Sequence, residues 1–169
     1  MSSPPQSPDS PRPSAPANAP FADGPLILRL ACELAGRTDA THLARALSGR
    51  KLALVADDGG SSANMFCLAA MNLGAHISLI RPNLTASSDP QEIRQTARIL
   101  GKLYAALEWP GIPVPLLAQL EKDAAIPIFD GISQCNHPLA RLSEELGIEA
   151  SADAKWRLVI QALLLRSLQ

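Results

Sequence analysis

A layered α/β domain, with helices on both faces of a mainly parallel four-stranded sheet, is the fold this sequence predicts. Three observations carry that reading. Four short apolar runs, at 51–56, 76–80, 103–107 and 125–129, alternate with segments of helical period. The segments between them are long enough for crossovers, which parallel neighbours require. Gly, Pro, Asp and Ser punctuate most of the boundaries, so each run ends where chain reversal is cheap. The product is a three-layer α/β sandwich, because a parallel sheet must be covered on both sides.

Each element has its own signature. Asp23 is placed to cap a helix from Pro25 to Gly36, with Leu26, Ile27, Leu30, Ala31 and Leu34 on one face. A short helix after Asp39 carries Leu43, Ala46 and Leu47. KLALVA (51–56) is a buried strand followed by the turn Asp57-Asp58-Gly59-Gly60. Ser61 or Ser62 then caps a helix burying Phe66, Cys67, Ala69, Ala70 and Leu73 before Gly74 stops it. HISLI (76–80) is the second strand. Asp89 and Pro90 start a helix that places Ile93, Ala97 and Leu100 together and ends at Gly101. LYAAL (103–107) is the third strand, Val114 to Leu120 a short helix, and 125–129 a fourth strand whose Pro127 favours a sheet edge. Helices over 137–146 and 153–168 complete the chain.

Composition narrows the function classes. Among 169 residues, 15 Lys and Arg face 16 Asp and Glu, a net charge of -1 that supplies no field for nucleic acid or an anionic membrane. Residues 59–80 lack Asp, Glu, Lys and Arg but are interrupted by Gly, Ser, Asn and His, so they do not read as a membrane span. No basic start leads into an apolar run, which leaves the cytoplasm as the expected location. The first 20 residues hold seven prolines and five serines and read as a disordered tail, with 21–169 as the folded domain. Cysteines 32, 67 and 135 are too scattered for a disulfide framework or a zinc site; buried reduced thiols are expected, and no metal or cofactor.

Ligands of such sheets sit beyond the carboxyl ends of the strands, which singles out two loops. The loop after the first strand places Gly60, Ser61, Ser62 and Ala63 where their amides can meet an anion at a helix start. It lacks the lysine of a phosphate-binding loop, has Asp57 and Asp58 at its entrance, and reads as well as a tight turn plus a helix cap. The loop after the fourth strand, Asp130 to Pro138, sets His137 where it can donate to a carbonyl oxygen, or serve as a cap. Cys135 beside it lacks an orienting third group, which argues against a cysteine hydrolase.

These loops and their surroundings resemble the N-terminal carbamoyl-phosphate-binding domain of the aspartate and ornithine carbamoyltransferases, over roughly Pro25 to Gly147. The resemblance runs through Leu47-Ser-Gly-Arg-Lys-Leu-Ala-Leu-Val, Phe66 to Ala75 (FCLAAMNLGA), and Glu92-Ile-Arg-Gln-Thr-Ala-Arg-Ile-Leu. It continues in Ile126-Pro-Ile-Phe-Asp-Gly-Ile-Ser and in His137-Pro138, which falls where the family has His-Pro-x-Gln. The segment from Trp156 to Leu165 is similar to the family's final helix, which returns onto the first domain. The resemblance implies a truncated chain without the amino-acid-binding domain, with 153–168 as the returning helix.

It also implies a degenerate site. The family's Ser-Thr-Arg-Thr-Arg loop aligns with Gly59 to Ala63, so Ser61 and Ala63 stand where the guanidinium groups belong. The arginine after the third strand falls at Trp109 or Pro110, the Gln of His-Pro-x-Gln at Ala140, and residues 82–91 contain no Lys. His137 is the one catalytic-type side chain left in place. The expectation is a noncatalytic binding or regulatory subunit, a pseudoenzyme near amino-acid metabolism. Its expected partners are carbamoyl phosphate or phosphate, a second copy, or an active carbamoyltransferase. The alternative is a carbamoyl-phosphate-binding transferase that retains weak activity.

Overall fold

The computed structural model describes residues 23–37, 40–56 and 64–169. Helix α1 (Gly24–Gly36) and a single turn α2 (Ala40–Leu43) lead into strand β1 (Lys51–Val55). Then come α3 (Met65–Asn72), β2 (His76–Ile80), α4 (Pro90–Leu103), β3 (Ala106–Glu108), α5 (Val114–Ala124), β4 (Ile128–Phe129), α6 (Pro138–Glu144) and α7 (Ala152–Leu168). All pairings are parallel and the strand order is β2-β1-β3-β4.

Side-chain alternation along β1 divides the interior in two. Leu52 and Leu54 point into a core shared with α1, α3, α6 and α7, which also takes Phe66, Phe129, Ile132 and Ile160. Ala53 points into a second core between the sheet and α4 and α5, built on Ile93, Leu107, Leu116, Leu120 and Ile128. Helices therefore cover both faces, as the three-layer reading requires. No helix among the described residues is long and apolar enough to cross a membrane.

Several expected boundaries move, for tertiary reasons. Asp23 is the residue before α1, but its side chain makes no cap. Its carboxylate accepts from Arg166 of α7 at 3.0 and 3.1 Å instead, pinning the first helix to the last. Leu26, expected on the buried face of α1, is exposed, while Ile27, Ala31 and Leu34 are buried. The third strand begins later than expected: Leu103 is the exposed last residue of α4, and the strand runs instead into Glu108. Pro127 precedes a two-residue β4 at the sheet edge and offers its carbonyl to Leu107 at 3.0 Å. Of the three cysteines only Cys67 is buried; Cys32 and Cys135 are exposed.

Two glycines have packing reasons. Gly74 ends α3 at φ +83°, and a Cβ there would strike the carbonyl of Ala44. Gly101 does not end its helix: α4 continues through it, and its missing Cβ lets the backbone of Ala124 at the end of α5 lie against it. In isolation Gly→Ala inside a helix is favourable by about 1 kcal/mol. Here the added methyl meets a backbone carbonyl, and overpacking costs about 1–3 kcal/mol. Gly101→Ala is therefore expected to lower the urea midpoint of unfolding; a rise would show that α4 and α5 do not approach this closely.

Candidate functional site

The strand order places a switch point at β1, because the chain leaves β1 for β2 on one side and then crosses to β3 on the other. Connections after β1 and β3 diverge there and open a rim at the carboxyl ends. Gly60, Ser61, Ser62 and Ala63 lie outside the described residues. Asn64, rather than Ser61 or Ser62, caps α3, its Oδ1 accepting from the Phe66 amide at 2.8 Å.

The other loop is built by two successive turns, closed by Gln134 N–H to Gly131 O and His137 N–H to Gln134 O, both at 2.9 Å. They deliver His137 to the N-cap of α6, ahead of the Pro138 expected in its first turn. Its Nδ1 accepts the Leu139 amide at 3.2 Å. A nitrogen that accepts carries no proton, so the neutral ring holds its hydrogen on Nε2 and can donate it outward. Burial pushes the imidazole below its usual range, against an opposing pull from Asp130, so the ring is neutral at physiological pH. With Nδ1 engaged by its own helix, that nitrogen is not available as a base for the exposed Cys135 thiol.

At the centre of the rim lies a group that loop positions alone do not single out. Glu108, the last residue of β3, is fully buried, on the α3 side of the sheet beside Leu54 and Phe129 in register. Its Oε1 accepts from the Ser133 hydroxyl at 2.9 Å and the Ser133 amide at 3.3 Å, while Oε2 is buried without a hydrogen-bond partner. Ser133 Oγ in turn accepts from Asn64 Nδ2 at 2.9 Å. One chain of hydrogen bonds thus joins the start of α3, the end of β3 and the loop before α6. Asp130 adds a second tie, its Oδ1 accepting from the Gly111 amide at 2.7 Å. The sequence signal for Glu108 is an acid directly after the apolar run LYAAL, and the strand extends one residue beyond that run to include it.

Desolvation dominates the electrostatics. It pushes the Glu108 carboxyl up to about 7, with Ser133 and the Ile132 amide pulling down and Asp130 adding to the rise. It also raises the Cys67 thiol, with the Glu108 charge contributing. Among the described residues that leave the carboxyl ends of the strands (56, 81–89, 109–113 and 130–137), Arg81 is the one Lys or Arg, and its Nε donates to the Ala56 carbonyl at 3.3 Å. Trp109 turns into the second core rather than toward the rim. Two open clefts lie elsewhere: about 370 Å³ over the first turns of α4, beside Arg94 and Arg98, and about 500 Å³ at the amino ends of the strands, beside Arg50 and Lys102.

A carboxyl whose pKa is higher folded than unfolded stabilises the protein below its unfolded value, and that stability is lost as pH rises through the folded value. For Glu108 the window runs from 4.5 to about 7. The loss across it amounts to about 3 kcal/mol. Urea unfolding of the wild-type chain is expected to show this decline, and Glu108→Gln to be the more stable protein above neutrality. A Glu108→Gln curve parallel to wild type would rule out Glu108 as its origin.

The comparisons with known proteins agree on one family. No protein-family model matches the chain. The catabolic ornithine carbamoyltransferase of Pseudomonas putida is 29% identical over 108 residues, covering 63% of this chain and 32% of that enzyme. Among solved structures, the ornithine carbamoyltransferase of Pyrococcus furiosus superposes with a TM-score of 0.56 at 24% identity, covering 73% of this chain and 40% of that one. The aspartate transcarbamoylase of Trypanosoma cruzi in complex with phosphate gives 0.54 at 21% identity, covering 74% and 40%. The sheet and its sequence relatives thus point the same way: the chain is similar to aspartate and ornithine carbamoyltransferases, and spans about a third of the length of the curated relatives it matches.

Proposed function

We propose that the chain is a degenerate form of the family's carbamoyl-phosphate-binding domain, and that it acts as a noncatalytic binding or regulatory subunit rather than as a transferase. The observation that carries this reading is the charge of the rim. Where the family resemblance calls for three guanidinium groups, the chain has Ser61, Ala63 and Trp109 or Pro110. Arg81 is the one cation of the described strand exits, while Glu108 and Asp130 supply carboxyl groups there. Each charge-assisted pair to a phosphate is worth about 1.5–3 kcal/mol, so losing two or three weakens the grip by several powers of ten. Carbamoyl transfer further needs an amino-acid nucleophile held against the carbamoyl carbon, and such positioning supplies about 7–11 kcal/mol of barrier reduction. The residues that resemble the family run from Pro25 to Gly147 and then into the returning helix at 153–168, without the acceptor-binding portion between.

Assembly is the role that remains. Leu68 and Met71 on α3, and Leu79 on the neighbouring edge strand β2, are large apolar side chains left exposed. They support self-association or co-assembly with an active carbamoyltransferase. A second reading, weak carbamoyl-phosphate binding, is favoured by one observation: His137 is neutral and its Nε2–H is free of the contact that engages Nδ1.

Calorimetric titration with carbamoyl phosphate and with inorganic phosphate separates the two. Millimolar or absent affinity is expected, and micromolar affinity abolished by His137→Ala would establish the second reading instead. Gel filtration of the chain, alone and mixed with the active carbamoyltransferase of its host, is expected to show a species larger than monomer. Strictly monomeric elution in both runs, unchanged in a Met71→Asp, Leu79→Asp variant, would remove assembly as the role.

A further inference from the structure

Glu108 is costly to keep. A buried carboxyl with one oxygen unpartnered is destabilising relative to an apolar residue of similar size, and nothing in the packing of β3 demands an acid there. Its register neighbours, Leu54 and Phe129, are both apolar. What the carboxyl does is make the two bonds from Ser133, whose hydroxyl also takes the Asn64 amide. That link is a polar tie between the first turn of α3 and the loop that presents His137.

We propose that Glu108 is a positioning residue: acting through Ser133, it locks the start of α3 at Asn64 to the loop over 130–137, so that the two framing segments of the rim open and close as one unit. This goes beyond the functional reading above and holds whether or not the rim binds an anion.

The link is also sensitive to protonation. The titratable groups that α3 and the loop after β4 bring near the carboxyl are Cys67 and Asp130; β1 and β4 bring Leu54 and Phe129. Neither titratable group offers a compensating positive charge. Ionised Glu108 therefore gains from any opening that lets water reach Oε2, whereas the neutral acid does not.

Hydrogen–deuterium exchange on the full chain without ligand tests this. Ser133→Ala is expected to raise exchange about tenfold at amides of 64–68 as well as of 130–137, leaving 93–100 in α4 unchanged. Correction for intrinsic rates then allows a scan from about pH 5.5 to about pH 8.5, in which wild type should lose protection at both segments with a common midpoint. Glu108→Gln, which keeps an acceptor for Ser133, should retain protection and show no midpoint. Loosening confined to 130–137 in Ser133→Ala, or the same pH midpoint in Glu108→Gln, would overturn the proposal. The wild-type scan requires no variant to fold, so separate midpoints at the two segments would overturn it as well.

Discussion

Parallel pairing of β1 with both of its neighbours is the constraint on which the rest of this structure depends. Its middle residues Leu52, Ala53 and Leu54 are buried, so neither face of the strand can be left to water. Apolar cover must come from helices on each side, and parallel neighbours can be reached only by crossovers that supply those helices. The same pairing brings the ends of β1, β3 and β4 to one rim. A site at that rim is thus a consequence of topology before any side chain is chosen.

At the rim, burial and charge oppose each other. The parallel sheet matches that of the solved carbamoyltransferases, and two turns deliver His137 to the cap of its helix. The carboxyl groups of Glu108 and Asp130 are held at the rim by hydrogen bonds from Ser133 and Gly111. An anion-binding site built on guanidinium groups has a favourable potential that a site built on carboxyls lacks. The described part of the rim is a scaffold whose segments are tied together internally, from Asn64 through Ser133 to Glu108.

The final helix shows how distant parts of the chain are stitched to this scaffold. α7 packs against α1, α3 and α6, with Val159, Ile160, Ala162 and Leu164 buried in the larger core. Gln161, a polar residue within that buried stretch, donates to the Ala69 carbonyl at 3.4 Å. Arg166 reaches back to Asp23. These contacts close the layer over β1 and fix the angle at which α3 approaches the sheet.

Periodicity and turn chemistry were enough to read four strands, the helices between them and the face that α3 and α4 bury, because those features depend on neighbours within a few residues. The same local logic identified the loop after β4 and His137 at a helix start. It failed wherever a partner distant in sequence competed with the local one. Asp23 looked like a cap and became half of an ion pair with Arg166; Gly101 looked like a stop and proved to be a contact with Ala124. Glu108 lies just past the run read as the third strand, and only the convergence of Asn64 and Ser133 makes it the buried centre of the rim. Hydrophobic pattern can say which residues leave water, but which polar group is stranded among them depends on segments that meet only once the chain has folded.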